Sequence, residues 1–202
     1  MIAALYVDAR GIYAGRDEVE VWDVTRDARK YAGPWPVVCH SPCERWGRYW
    51  SGGPSARVRR KLGDDGGCFS AALASVRKWG GVLEHPEASH AFRAHGLLTP
   101  PKSGGWVAAG DGIGWVCCVE QGHYGHRARK ATWLYAVRCE LPSLRWGKAH
   151  GKDRLDEGFH SKEERRRSVR TGVCQRLSAK QRAATPPAFA DLLLSMARSV
   201  QR

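Results

Sequence analysis

Residues 37–47 read Val-Val-Cys-His-Ser-Pro-Cys-Glu-Arg-Trp-Gly, and this stretch is the strongest single indication of fold and chemistry in the chain. The β-branched start predicts a short strand, and the Pro-Cys pair predicts a turn that presents the Cys43 thiol on a loop. Catalytic groups of α/β sheets concentrate on loops at the carboxyl ends of strands, which favours a nucleophilic role for Cys43. The alternative is a packing role, because free cysteine is among the most buried residue types.

The remaining apolar runs predict a single α/β domain with a mostly parallel sheet and flanking helices, since 202 residues suffice for one sizeable core. Strands are expected at residues 5–7, 19–22, 36–39, 82–83, 114–119 and 132–137, and helices at residues 25–31, 68–78, 88–95 and 188–200. Residues 51–67 and 97–111 are interpreted as connections. Thr185 is expected to cap the last helix, whose apolar face should pack on the sheet.

Two further segments place charged residues beside predicted strands. Residues 79–86 read Trp-Gly-Gly-Val-Leu-Glu-His-Pro, and residues 124–130 read Tyr-Gly-His-Arg-Ala-Arg-Lys. The chain thus has a strand that leads to Pro-Cys, then a helix and a strand that leads to a Glu-X-Pro-like turn. Tyr-Gly, paired arginines and another strand follow. This order of motifs is the one seen in DNA cytosine-5 methyltransferases. The chain resembles a compact, diverged member of that superfamily over roughly residues 36–137 and, more loosely, the last helix. Its Thr-Pro-Pro-X-Phe-Ala ending also resembles the tail of small phage-borne proteins of this type.

The resemblance implies a DNA-modifying enzyme and assigns its catalytic residues. Cys43 stands at the position of the family's nucleophile, which adds to C6 of a flipped cytosine. Glu84 stands where the family's glutamate holds N3 and the amino group of the base. Arg127 and Arg129 match the paired residues after Tyr-Gly, with Arg127 replacing a glutamine and Arg129 as the candidate for contact with the pyrimidine O2. A thiolate that attacks a pyrimidine needs cationic donors beside it, so Arg45 or one of this pair is expected to lower the pKa of the thiol.

The amino-terminal third departs from the family pattern, which opens with a strand, a glycine-rich turn and a helix that together grip S-adenosylmethionine. Residues 3–8 can form that first strand, but the next apolar run begins at residue 19, so the first helix and one strand are expected to be missing. Asp8, Gly11 and Asp23 are the candidate cofactor contacts; alternatively, the two aspartates are ordinary turn or cap residues. The expected fold is therefore Rossmann-like with a shortened cofactor half, and binding of S-adenosylmethionine stays open.

Composition favours DNA as a partner independently of these motifs. Lysine and arginine residues number 33 against 20 acidic residues, which leaves a formal net charge of +13 and attracts polyanions. The first basic cluster follows the Pro-Cys turn and comprises Arg45, Arg48, Arg57, Arg59, Arg60 and Lys61. Interleaved with it are Trp46, Tyr49 and Trp50, aromatic residues that can stack on bases. A second run, for which a solvated surface is an equal alternative, comprises Lys162, Arg165, Arg166, Arg167 and Arg170.

The division of the chain follows from these patterns. Residues 1–140 are expected to form the methyltransferase-like core, and residues 141–202 a basic flexible segment followed by a helix that packs on the core. No apolar run reaches the length of a membrane span and the start lacks a secretory signal, which predicts a cytoplasmic protein, in a bacterial host if the chain is phage-borne. Seven cysteines, an odd number, fit reduced thiols better than a disulfide framework.

Three other interpretations stay open beside the methyltransferase-like enzyme. One is a structural zinc site, for which the chain offers two groups of ligands: Cys39, His40 and Cys43, and Cys117, Cys118, His123 and His126. Neither group has the repeated Cys-X-X-Cys spacing, so no metal is expected. Another is a non-catalytic DNA-binding protein derived from a methyltransferase. The last is a pyrimidine-modifying enzyme that uses the Cys43 addition with a different donor, and fold alone does not decide among them.

Overall fold

One mixed sheet organises the computed structural model, which describes residues 1–52, 57–151 and 177–201 together with residues 153, 155, 162, 163 and 166. Its strands in the described part of the chain are β1 (Ile2–Leu5), β2 (Val19–Trp22), β3 (Val37–Cys39), β4 (Gly81–Pro86), β5 (Val107–Ala108), β6 (Trp115–Glu120) and β7 (Ala131–Val137). Their order across the sheet is β2-β1-β3-β4-β7-β6-β5. The expected α/β class is confirmed.

The sheet is parallel on one side only, which corrects the expectation of a mostly parallel sheet. The pairings β1–β2, β1–β3 and β3–β4 are parallel, whereas β4–β7, β6–β7 and β5–β6 are antiparallel. The physical reason is the length of the later connections. Residues 121–130, which join β6 to β7, are too few for the crossover that parallel strands require. The short strand β5 lies within residues 97–111, which were expected to form only a connection.

Helices cover both faces of the sheet. The described α-helices are α1 (Cys68–Trp79), α2 (His90–Ala94), α3 (Ala179–Ala183) and α4 (Pro187–Arg198). On one face, α1 buries Phe69 and Leu73 in the same core cluster as alternate residues of β1, β3 and β4. On the other face, α4 buries Phe189, Leu193 and Met196. Packing of the last helix on the sheet is thereby confirmed, and none of the described helices combines the length and apolarity needed to cross a membrane.

Two expectations about helix ends are wrong. Residues 25–31 contain only the 3-10 turn Ala28–Lys30, because Asp27 adopts a left-handed conformation (φ 52°) that an α-helix does not accept. Thr185 is not the cap of α4. Pro186 occupies the N-cap position and no side chain caps this helix, whose first residue is also a proline and therefore leaves no backbone donor there to satisfy.

The amino-terminal half is short, as expected. The neighbouring strands β1 and β2 are joined by residues 6–18, which form turns and no helix. From this connection Tyr13, only 2% exposed, packs into the core on the face covered by α4. The helix α1 joins β3 to β4 on the opposite face, so a right-handed crossover from β1 to β2 would lie on the face of Tyr13. Tyr13 and α4 therefore cover the area that a first helix would cover.

Candidate active site

Cys43 and Glu84 lie at the carboxyl edge of neighbouring parallel strands, as the motif order predicted. The strand β3 pairs with β4 in a register that sets Cys39 beside Leu83, so β3 ends next to the residue that precedes Glu84. Cys43 follows on the loop after β3 and is partly exposed, whereas Glu84 is 8% exposed. The negative charge of Glu84 acts on the Cys43 thiol and helps to raise its pKa. The two groups thus belong to one site.

Two hydrogen bonds hold the carboxylate of Glu84. His40 Nδ1 lies 3.0 Å from Oε2, and Gln121 Nε2 donates to Oε1 at 3.1 Å. Burial by itself would raise the pKa of Glu84, but the hydrogen bond from His40 and the charges of His40 and Lys130 outweigh burial and bring this pKa down to about 2. Glu84 is therefore ionised at neutral pH although it is buried.

Gln121 is a buried residue that sequence reasoning did not single out. Besides its bond to Glu84, its Nε2 donates to the hydroxyl of Thr132 at 2.9 Å, and that hydroxyl donates to the carbonyl of Lys130. The contact with a carboxylate fixes which end of the amide carries the donor. Its Oε1 has no hydrogen-bond partner in the described part of the chain, so the amide retains an unused acceptor beside the site.

Lys130 is the cation that acts on both Cys43 and Glu84. Burial lowers the pKa of Lys130, and the charges of those two groups act against burial. Its Nζ donates to the carbonyl oxygens of Ala183 and Ala184 at 3.2 and 2.8 Å, which ties the end of α3 to the site. Burial, Glu84 and Glu44 raise the pKa of Cys43, and Lys130 opposes them. The expectation that a nearby arginine makes the pKa of this thiol low is therefore corrected.

Arg127 and Arg129, predicted to face the reacting ring, are engaged elsewhere. Arg127 Nε lies 2.7 Å from Asp153 Oδ2, and Arg129 Nε lies 3.0 Å from Glu120 Oε2. Their side chains are 55% and 50% exposed. These contacts leave the predicted catalytic role of the pair without support. The sequence signal for Lys130 would have been its place directly before β7, because β7 starts beside the carboxyl end of β4.

Asp8, Gly11 and Asp23, the candidate cofactor contacts, serve local turns at the ends of β1 and β2. Asp8 Oδ1 accepts a hydrogen bond from the backbone N–H of Arg10 at 2.8 Å, and the N–H of Gly11 donates to the carbonyl of Asp8 at 2.9 Å. Asp23 Oδ1 accepts from the N–H and the hydroxyl of Thr25 at 2.9 and 2.6 Å, which lowers the pKa of Asp23. The structure thus gives these aspartates the turn role that the sequence left open.

Trp46 lies in the core, which corrects its interpretation as a residue that stacks on bases. Its side chain contacts the rings of Phe69 and His95, and only 7% of it is exposed. The indole Nε1 donates to Asp65 Oδ2 at 2.7 Å, and the same oxygen accepts from the N–H of Phe69 in the first turn of α1. Asp65 therefore fixes the loop after Cys43 against the start of this helix.

Most members of the first basic cluster are exposed. Arg45 is partly buried, with Nη1 3.5 Å from the carbonyl of Trp50. The exposed members are Arg48, Arg57, Arg59, Arg60 and Lys61. Tyr49, one of the aromatic residues interleaved with this cluster, is 53% exposed and lies beneath the guanidinium of Arg48. Of the second run, Lys162 and Arg166 are exposed, whereas Arg165, Arg167 and Arg170 lie outside the described residues.

The cysteine and histidine groups weighed as zinc ligands are spread over the fold. Cys39 is buried beneath α1, with its thiol 3.9 Å from the carbonyl of Ala72, and Cys117 is buried on the other face of the sheet. All six cysteines in the described part of the chain carry free thiols. Within that part, no three His, Cys, Asp or Glu side chains form a group that could hold a metal ion.

Comparison of the chain with protein-family models, with curated proteins and with solved structures found no match. The resemblance to DNA cytosine-5 methyltransferases therefore stays an expectation from the order of the motifs. The chemistry open to the site follows from its own residues.

His85, the residue after Glu84, is a buried titratable group on the α1 face of the sheet. It is fully buried, and its ring lies edge-on to Phe69 with the centroids 5.1 Å apart. Burial lowers the pKa of His85 from 6.5 to about 4, against smaller opposing effects of Glu84 and the carbonyl of Pro42. The folded state therefore holds this imidazole neutral at pH values at which the unfolded chain protonates it.

This histidine should make stability depend on pH. Because the pKa of His85 is lower in the folded state, this histidine does not change the free energy of unfolding above pH 6.5. As the pH drops from 6.5 towards 4, the free energy of unfolding should fall by up to about 3 kcal/mol. Chemical denaturation at a series of pH values measures this. His85→Phe should remove most of the slope in that range, with His90→Asn, at an exposed histidine, as the control. An equal slope in His85→Phe and in the unsubstituted protein would contradict the assignment.

Proposed function

We propose that the chain modifies DNA at a pyrimidine base, with Cys43 as the nucleophile that adds to C6 of the ring. One observation carries the proposal: a partly exposed thiol, a buried carboxylate and a lysine interact electrostatically at the carboxyl edge of adjacent strands. The three groups are Cys43, Glu84 and Lys130. Attack on a pyrimidine requires a nucleophile at C6, a group that holds N3 and a cation for the developing charge, and this set supplies each of them.

The strand order supports a Rossmann-like origin for the fold. The order β2-β1-β3-β4 is that of a doubly wound sheet from which the third strand has been left out. In such sheets ligands bind outside the carboxyl ends of the strands, where the order reverses, which here is the crevice between β1 and β3. The loop of Cys43 leaves β3 at this edge. Its position therefore agrees with a reaction site of this fold type.

DNA is the proposed substrate because the loop that carries the Cys43 thiol continues into a cluster of positively charged residues. Arg57, Arg59 and Arg60 are exposed a short distance along the chain from Cys43, and the chain as a whole carries a net charge of +13. Such a surface binds phosphates and releases counterions. A base in a duplex must leave the stack before Cys43 can reach C6, and the exposed ring of Tyr49 is suited to contact the opened strand.

The residues present do not fit S-adenosylmethionine in the manner that the resemblance implies. No helix follows β1 in residues 6–18, so the helix amino terminus that would face the donor is missing. Asp8 and Asp23 already accept hydrogen bonds from their own turns, and Tyr13 fills the core beside β1 and β3. We therefore assign no step to this donor, and the proposed reaction is limited to addition at C6 and to what the added thiol permits at C5.

A non-catalytic DNA-binding protein is the second candidate. The raised pKa of the Cys43 thiol favours it, because a thiol that stays protonated is a poor nucleophile. The space beside β1, which Tyr13 fills, also favours a non-catalytic protein, because a protein that does not bind a methyl donor has no methyl group to transfer. The two candidates share the exposed arginines of the first basic cluster and differ in whether Cys43 forms a bond to the base.

A duplex that contains 2-pyrimidinone in place of one cytosine distinguishes the candidates without any group donor. This base lacks the exocyclic amino group, so its ring is poorer in electrons and accepts a thiol at C6 more readily. The protein should form a covalent adduct that intact-mass spectrometry detects and that peptide mapping assigns to Cys43. Glu84→Gln should slow adduct formation roughly tenfold or more, because an amide cannot pass a proton on to N3.

Cys43→Ser should abolish the adduct and leave DNA binding unchanged, whereas the matched control Cys68→Ser, at another partly exposed thiol, should react at the original rate. DNA binding without an adduct would favour the non-catalytic candidate. Absence of both would reject the proposed function.

The proposed DNA contact is tested by salt dependence. The logarithm of the association constant should fall linearly with the logarithm of the salt concentration. Arg57, Arg59 and Arg60 changed together to alanine should weaken binding and reduce that slope by about 0.9 for each phosphate that the variant no longer neutralises. Fluorescence anisotropy with a labelled duplex measures both.

A control variant removes the same charge elsewhere. Lys30, Lys78 and Arg93 are exposed residues outside the basic loop, and their joint change to alanine should alter the slope less. Equal reductions of the slope in the two triple variants would mean that Arg57, Arg59 and Arg60 are only part of a generally positive surface.

A further inference from the structure

A buried chain of hydrogen bonds leads from the amino-terminal connection to Glu84. The hydroxyl of Tyr13 lies 2.8 Å from His40 Nε2, and His40 Nδ1 lies 3.0 Å from Glu84 Oε2. Tyr13 is 2% exposed, and the side chains of His40 and Glu84 are 13% and 10% exposed. These residues come from the β1–β2 connection, the end of β3 and the part of β4 that extends beyond β3, so tertiary packing brings them together.

We propose that His40 supplies the proton that Glu84 passes to N3 of the bound pyrimidine, and that Tyr13 holds the ring of His40 for this transfer. Both are positioning residues, since they act through Glu84 and do not touch the base. The proposal rests on the addition of Cys43 to C6 described above. It deepens that reaction by naming the source of its proton.

The need for a proton source follows from the state of Glu84. Its two hydrogen bonds stabilise the carboxylate, so Glu84 alone brings no proton to the base. The imidazole of His40 is in direct contact with this carboxylate, and a protonated imidazole can donate the proton that Glu84 lacks. The Tyr13 hydroxyl at the opposite ring nitrogen can accept from Nε2–H or donate to Nε2, so it orients the ring in either state, in the way that a third group orients the base of a catalytic triad.

The proposed step balances in protons and electrons. Cys43 releases its proton to water and its thiolate forms a bond to C6. The π electrons of C5=C6 move through the ring to N3, which takes the proton from the carboxyl group of Glu84. Glu84 has received that proton from Nδ1 of protonated His40. The imidazole is left neutral with its remaining hydrogen on Nε2, directed at the oxygen of Tyr13.

Other titratable groups surround the hydrogen-bonded residues Tyr13, His40 and Glu84 and contribute to the pH dependence of the proposed proton transfer. Those that act on Glu84 are His40, Lys130 and His85, and Glu84 in turn acts on Cys43. Those that act on Tyr13 are Glu84, Arg16, Asp191 and Cys39, and they come from three elements besides its own connection. Of the groups in the two sets, His40 is the histidine that bonds directly to the carboxylate.

The pH profile of adduct formation tests the proposal. The rate with a 2-pyrimidinone duplex at saturating concentration should rise with pH, pass through a maximum and fall again, because the step needs an ionised Cys43 thiol and a proton on His40 at the same time. His40→Asn places an amide N–H near the position of Nδ1, so it can keep the bond to Glu84 but has no proton to give. This variant should react at least tenfold more slowly at the pH optimum of the unsubstituted protein, and the fall at high pH should disappear.

Three outcomes separate the claims. The loss of the alkaline fall in His40→Asn, with unchanged DNA affinity, supports the proposal. An unchanged profile overturns the role of His40 and leaves the proposed function standing. Absence of any adduct with the unsubstituted protein overturns both. The control His90→Asn, at an exposed histidine, should retain the original rate and profile.

Tyr13→Phe keeps the test decisive if His40→Asn does not fold, because it removes one hydroxyl and retains the buried ring. It should slow adduct formation several-fold and change the fall of the rate at high pH. Tyr31→Phe removes a comparable hydroxyl, which donates to the carbonyl of Trp35 away from the site, and should leave the profile unaltered. Identical profiles for Tyr13→Phe and the unsubstituted protein would overturn the role of Tyr13 and, with it, the proposed chain.

Discussion

The site depends on the hydrogen bond between His40 and the buried carboxylate of Glu84. An ionised carboxylate inside a protein is tolerated only when partners and hydrogen bonds replace the lost water. The partners come from separate parts of the chain: His40 at the end of β3, and Gln121 and Lys130 between β6 and β7. Keeping Glu84 ionised therefore requires that β4 lie between β3 and β7, which is the arrangement of the sheet.

The carboxyl-terminal part of the chain serves the same site in two ways. The helix α4 covers the face on which a first crossover helix would lie, and it shares a core cluster there with Tyr13. The end of α3 accepts both hydrogen bonds that Lys130 donates, which holds the lysine near Cys43 and Glu84. The face of the sheet that carries no helix between β1 and β2 is thus covered by packing from the other end of the chain. The site joins the two ends of the described fold.

Local patterns in the sequence predicted most strands, α1, α4 and the neighbouring positions of Cys43 and Glu84, because these follow from motif order along parallel strands. They did not predict Lys130 or Gln121, because both reach the site only through the antiparallel insertion of β7 beside β4. Trp46 was misread for a similar reason. Its neighbours in sequence are charged, and its partner Asp65 lies 19 residues away. Contacts that depend on strand order or distant partners leave little signal in a single sequence.

We propose that Cys43, Glu84 and Lys130 receive a pyrimidine extruded from DNA. A crystal structure of the protein with a short duplex that carries a mismatched cytosine would test it most directly. In the complex this cytosine should leave the stack, with C6 in contact with the Cys43 thiol and N3 within hydrogen-bond distance of Glu84. A complex in which the cytosine lies stacked in the duplex, or in a place remote from Cys43, would contradict it.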